Sequence, residues 1–186
     1  MDVLECISFA TQNISHGQVL EISETPHSAT IKHWKRVILS KFAGLFGAGA
    51  QSAAYWGGAD NLTASILFSF GEHVGMAVKL KNDLNELGQK KIVKQKIKNY
   101  ELWSPICFLL HECLPDNQRL EISKKIQNEA DDPETVNEIH NLIKEHDMTD
   151  IVKSEVEKEL KLAKESLLNL EIDTRPLLHL TQFSVI

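Results

Sequence analysis

The stretch Lys79-Leu80-Lys81-Asn82-Asp83-Leu84-Asn85-Glu86-Leu87 carries three oxygen donors at close spacing: Asn82, Asp83 and Glu86. On a helix, positions 79, 82, 83 and 86 fall at i, i+3, i+4 and i+7 and share one face. Magnesium takes oxygen ligands, keeps several waters and is often held by one or two carboxylates plus a substrate phosphate. Asp83 and Glu86 meet that minimum, and Asn82 adds a neutral oxygen. The same residues equally describe an ordinary solvated helix face, on which Lys79 pairs with Asp83 one turn on. For a carboxylate pair taken alone, the solvated face is the default. Followed backwards, the face meets Val78, Gly75 and Gly71. A glycine inside a helix costs about 1 kcal/mol relative to alanine, so two of them four apart imply a closely packed neighbour or a cavity.

Other candidates carry less. "HECLP" at 111–115 opens like the zinc motif H-E-x-x-H, but Pro115 stands at the second histidine position and the zinc reading fails. His140 and His146 are six apart, do not share a helix face, and are expected at the surface. Asp131 and Asp132 precede Pro133, so Asp132 reads as a helix cap with proline at the first position. Seven lysines lie between 79 and 98 (79, 81, 90, 91, 94, 96 and 98), which reads as a solvated loop or as a basic rim beside a phosphate site. Cys6, Cys107 and Cys113 are odd in number and lack metal spacing, so buried thiols in a reducing cytosol are expected. The chain has no P-loop, no G-x-G-x-x-G and no G-x-S-x-G.

The elements that would position these groups are helical. Leu4, Ile7, Ala10 and Ile14 recur at steps of three and four, predicting a helix over 3–22 that "SETP" stops. Residues 28–56 keep helical spacing and include the small-residue run "AGLFGAGAQSAA". After "GGADN", Asp60 or Asn61 can cap a helix over about 62–87, with Leu62, Ile66, Phe70, Val74 and Ala77 as its apolar stripe. From 133 to about 170 the pattern is amphipathic helix with one break near "EHDMTD". Strand signals are weak, and the closing "FSVI" is too short to weigh. An all-α fold is expected, with residues 1–186 as a single domain. The 186 residues, 42% hydrophobic and 25% charged, suit a soluble globular chain. A net charge of −6 argues against general affinity for nucleic acid or anionic membrane. No signal peptide and no transmembrane segment are expected, and a cytoplasmic location follows.

Three blocks in order resemble a known family: "GQVLEI" at 17–22, "WKRVILSKFAGLF" at 34–46, and "FGEHVGMAVKLKNDLNEL" at 70–87. Together they are similar to the second half of the trans-isoprenyl diphosphate synthases, the polyprenyl synthetase family. That family carries a G-Q-x-x-D/E helix, a helix with a Lys-Thr pair, and a G-x-x-x-G helix running into F-Q-x-x-D-D-x-x-D. The likeness covers residues 10–90 best. It implies part of an isoprenoid-synthase helical bundle and Mg2+-dependent condensation of an allylic diphosphate with isopentenyl diphosphate. By position, Asn82, Asp83 and Glu86 stand in the second aspartate-rich, metal-binding motif, and Lys79 puts a cation beside that metal face, where it could touch the diphosphate. Lys41 stands at the lysine that contacts allylic diphosphate, and Gln18 and Glu21 at the polar pair facing the cavity.

The departures are specific. Asn82 stands where the family has Asp, Glu86 where it has Asp, Phe42 where it has Thr, and Lys79 where it has Gln. Trp103-Ser104-Pro105 replaces Thr-Leu-Pro. No first aspartate-rich motif precedes residue 17, so an upstream segment or a separate protein is expected to supply it, and a homo- or hetero-oligomer follows. Two alternatives stand beside the enzyme: a non-catalytic partner subunit of a prenyl synthase, and a peptide prenyltransferase of the competence-pheromone type. A helical interaction module is the reading if the likeness is only helix patterning.

Overall fold

The structure, a computed structural model, describes residues 3–23, 30–99, 101–168 and 170–183. Its elements are α1 (Val3–Ser23), α2 (Ile31–Ile38), a π-helical segment (Leu39–Ala43), α3 (Gly44–Trp56), α4 (Asn61–Leu87), α5 (Lys90–Lys98), α6 (Ser104–Phe108), a second π segment (Leu109–Cys113), α7 (Asp116–Asn128), α8 (Pro133–Glu145), α9 (Met148–Ser166) and α10 (Arg175–Phe183). Among the described residues there is no strand, and the fold is all-α as expected.

Local chemistry sets the boundaries. The Thr63 N–H donates to Asp60 Oδ1 at 2.7 Å, so Asp60 caps α4. Asn61 lies inside the helix and accepts a hydrogen bond from the Tyr55 hydroxyl. Asp132 caps α8 by accepting from the Thr135 N–H at 2.8 Å, with Pro133 next. The break at "EHDMTD" falls at Asp147, whose φ of 49° is left-handed and ends the run of α8. Its carbonyl then accepts from the Asp150 and Ile151 N–H groups, which starts α9. Pro26 of "SETP" and all but the first residue of "FSVI" lie outside the described residues.

Several expectations need correction. The helix expected over 28–56 is helical from Ile31 but is widened at Leu39–Ala43, where the cap N–H at Gly44 reaches the Leu39 carbonyl five residues back. No residue periodicity announces a single π turn. The lysine-rich 90–98 stretch is helix α5, with Val93 and Ile97 buried; four residues of spacing between two apolar side chains were masked by the surrounding charge. In α1 the buried residues are Cys6, Ala10 and Gly17, while Leu4 and Ile7 are 75% and 54% exposed. The small side chains face inward because the neighbour approaches closely, which reverses the usual preference for large apolar residues inside. Leu62, expected on the α4 stripe, is 70% exposed; Phe70, Val74 and Ala77 are buried. His140 and His146 are half-buried rather than exposed, and burial followed by the charges of Lys144 and Lys90 pushes the His140 pKa down. Cys6 and Cys107 are buried thiols, and Cys113 is only partly covered.

The chain forms two compact units: Met1–Leu20 with Arg36–Lys81 and Glu155–Ile186, and Glu21–Lys35 with Asn82–Ser154. The first unit has a core of Ala54, Ala64, Leu67, Phe70, Val74, Ala163 and Leu167, closed by Leu177 and Leu178 of α10. There α4 presses against the π segment and α3. A Cβ on Gly71 would stand 2.5 Å from the Phe46 carbonyl oxygen and 2.7 Å from the Gly47 Cα; one on Gly75 would stand 2.8 Å from the Ala43 Cα. The glycine pair is therefore explained by close helix packing. In the second unit Trp34 is fully buried and meets Phe108 with the rings tilted by 59° and their centroids 5.5 Å apart. Helix α5 packs on α8, and α7 on both α8 and the second π segment.

Gly71→Ala forces a methyl against backbone, so it should lose about 1–3 kcal/mol of stability despite the better helix propensity of alanine. Gly49→Ala on α3, where a Cβ meets nothing within 4 Å, should instead gain up to about 1 kcal/mol. Urea unfolding of the two variants checks this; equal midpoints would contradict the close approach.

Candidate functional site

In the first unit the sequence blocks meet through glycine. A Cβ on Gly17 would lie 2.7 Å from the Lys41 Cγ and 2.7 Å from the Ser40 Cβ. Only a bare backbone lets α1 come this close, so the "GQ" block rests on the turn that carries Lys41. That turn is the first π segment, and single π turns recur at functional sites because they displace one side chain from the helical register. Lys41 is half-buried there; Gln18 is exposed. Phe42, at the position of the family threonine, stacks obliquely on Phe46 with centroids 5.4 Å apart.

Helix α4 brings Lys79, half-buried, and two residues that sequence reasoning passed over. Glu72 precedes Lys79 by seven residues and so lies on the same face. Its side chain runs over Gly47, where a Cβ would stand 2.9 Å from the Glu72 Cγ. Burial pushes the Glu72 pKa above its ordinary value, against the opposing charge of His73. His73 Nδ1 in turn lies 2.7 Å from Glu159 Oε2, and Glu159 is buried. The seven-residue step from Glu72 to Lys79 was the available signal.

The second unit holds Glu21, half-buried, and the donors of "KNDLNE". Asp83 is 1% exposed. Its Oδ2 accepts from the Ser104 hydroxyl at 2.7 Å and from the Ser104 N–H at 3.2 Å. Ser104 and Pro105 open α6, so Asp83 satisfies the start of that helix from a different helix, as a capping side chain does locally. Asn82 is exposed. Glu86 is half-buried, and Lys96 Nζ stands 3.3 Å from its Oε2. That oxygen makes no hydrogen bond, so the contact is a charge pair lying off the hydrogen-bond direction. Lys96 donates properly to Glu101 Oε2 at 2.7 Å. Burial works against the Lys96 charge, but Glu101 and then Glu86 outweigh it and raise its pKa. Ser104 and Lys96 were illegible as partners, because nothing in local spacing pairs them with Asp83 and Glu86, 21 and 10 positions away.

Among the described residues no group of three His, Cys, Asp or Glu side chains is placed to hold a metal ion. Asp83 is committed to Ser104 and Glu86 to Lys96. These residues do not fit a magnesium ion held by this chain alone.

The polyprenyl synthetase family model matches residues 1–143. The chain belongs to the polyprenyl synthetase family. Its fold is that of the solved synthases. A polyprenyl synthase from Roseobacter denitrificans superposes with a TM-score of 0.87 at 20% identity, covering 98% of this chain and 62% of that one. A decaprenyl diphosphate synthase from Rhodobacter capsulatus gives 0.83 at 21%, covering 98% and 58%. A polyprenyl synthase from Caulobacter crescentus, complexed with calcium and isoprenyl diphosphate, gives 0.83 at 20%, also covering 98% and 58%. This polyprenyl synthetase chain thus spans about 60% of the length of the structures it matches. No curated protein matches it. No helix among the described residues is long and apolar enough to cross a membrane.

Two measurements test the site. Ser104→Ala strips the hydroxyl from a buried carboxylate and should cost about 1–3 kcal/mol, with Asp83→Ala costing more because the start of α6 loses its acceptor as well; an unchanged urea midpoint in Ser104→Ala would refute the link. For Glu72, the folded state binds its proton more tightly than the ordinary 4.5 implies. That stabilisation is complete below the unfolded pKa and is lost as pH rises through the raised one. Glu72→Gln should therefore gain in Tm relative to wild type as pH climbs from about 4 to about 7, and parallel Tm profiles would count against the buried carboxyl.

Proposed function

We propose that this chain builds one wall of a prenyl-transfer site and acts together with a partner, or with a further segment, that builds the facing wall. The observation that carries the reading is the meeting of Gly17 with Lys41, which joins two of the three family blocks around a half-buried cation on a displaced turn. The reaction is condensation of an allylic diphosphate with isopentenyl diphosphate. The carbon–oxygen bond to diphosphate breaks and the leaving group keeps the electron pair. The double bond of isopentenyl diphosphate attacks the allylic carbon, and a proton is then lost. Lys41 and Lys79 contribute positive charge where the departing diphosphate gathers negative charge, which lowers the barrier to ionisation.

Magnesium, the metal implied by the second aspartate-rich motif, would in this reading be held by carboxylates of the facing wall, since Asp83 and Glu86 are otherwise engaged. The partner also explains the surface. Leu4 and Ile7, one turn apart on α1, are 75% and 54% exposed, and contiguous exposed apolar residues mark association surfaces. A homo- or hetero-oligomer in the cytoplasm follows.

A second reading is favoured by Asn82, Phe42 and the Asp83–Ser104 link, each of which removes a group from phosphate or metal. In it the chain is a non-catalytic subunit that stabilises a catalytic homologue.

Calorimetric titration with an unreactive allylic diphosphate analogue, alongside light scattering, separates the two. The enzyme reading expects binding that weakens about tenfold or more in Lys41→Ala, in a sample larger than a monomer. Oligomers without analogue binding favour the subunit. A clean monomer that binds nothing refutes both.

A further inference from the structure

We propose that Lys96 is a built-in cation that takes the place of a divalent metal at the "KNDLNE" stretch, so that this side of the site works without one. The inference rests on reading that stretch as the second aspartate-rich motif.

The case is geometric. Glu86 is the last donor of the motif, and its carboxylate faces Lys96 Nζ at 3.3 Å. The same ammonium lies 2.7 Å from Glu101 Oε2. One cation thus sits between two carboxylates, which is the arrangement a bound divalent ion would otherwise occupy. The Lys96 side chain is 18% exposed, against 28% for that of Glu86 and 39% for that of Glu101. Its place is dictated by α5: Lys96 falls three residues after buried Val93 and next to buried Ile97, so it stands on the inward face. Lys90, Lys91 and Lys94 on the same helix are exposed. The Asn99 side-chain amide donates to Glu101 Oε1 at 3.3 Å and fixes the second carboxylate.

The chemistry follows from charge. A metal ion bound at Glu86 Oε2 would share that oxygen with an ammonium a few ångströms away, and the two cations would repel strongly in so poorly hydrated a place. The tethered cation also needs no ion from solution and loses no translational freedom. Asn82 fits the same account, since a motif that no longer holds a metal has no use for a third carboxylate. Removing Lys96 takes its positive charge away from Glu86 Oε2 and Glu101 Oε2, and the two carboxylates can then receive a divalent ion in its place.

The test is Mn2+ binding to the full chain, followed by the loss of the free-ion EPR signal, with circular dichroism to confirm folding. Wild type should leave the Mn2+ signal unchanged, Lys96→Met should bind with affinity raised roughly tenfold or more, and Lys96→Met with Glu86→Gln should lose that gain. Wild-type binding that Glu86→Gln abolishes overturns the proposal. So does a folded Lys96→Met that binds no Mn2+. Lys96→Gln serves if the methionine variant does not fold, and the wild-type comparison with Glu86→Gln stands without either. Because no prenyl substrate is present, these outcomes are independent of the allylic diphosphate titration that tests the prenyl-transfer reading.

Discussion

The approach of helix backbones across glycine is the constraint on which the first unit depends. Gly17 meets Lys41 and Ser40, Gly71 meets the Phe46 carbonyl and Gly47, and Gly75 meets Ala43. At each point a methyl group would occupy space already held by backbone or by the base of a side chain. These contacts hold α1, the π segment, α3 and α4 of the unit at fixed spacing. They also oblige α1 to turn its small residues inward, and Leu4 and Ile7 outward. Close packing and an exposed apolar helix face are thus two consequences of one cause.

The second unit is organised by polar groups that have turned inward. Asp83 is almost wholly buried, and burial of a carboxylate is tolerable only when donors meet it. The Ser104 hydroxyl and N–H do so, and α6 gains its starting acceptor in the same step. Lys96 resolves the same problem for Glu86 and Glu101. Ion pairs of this kind add little net stability, because desolvation offsets most of the attraction. Their effect is on geometry: the end of α4 is tied to α5 by a charge pair and to the start of α6 by the hydrogen bonds of Asp83, not by apolar packing alone.

Much of the fold was legible because it follows from local rules. Asp60 and Asp132 cap helices within three residues of themselves, and Pro133 stands where a missing N–H costs nothing. The α4 boundaries and the break before α9 came from such signals. The π segment was not legible, since one extra residue in a turn leaves no period to detect. Helix α5 was hidden by charge: with five lysines among nine residues, two apolar positions were too few to reveal a buried face. Of the candidate site, the identity of Lys41, Asp83 and Glu86 as unusual positions was readable, but their partners were not.

The sequence by itself determined the helical class, the order of the three family blocks and the residue types available for chemistry, because spacing and composition act over a few residues. Only the tertiary structure decided what those residues touch. It placed Gly17 on Lys41, turned Asp83 toward Ser104 and set Lys96 between Glu86 and Glu101. The reason is physical: a carboxylate is a metal ligand, a cap or half of an ion pair according to which donor reaches it first. That donor comes from a part of the chain whose position is set by packing and not by local sequence.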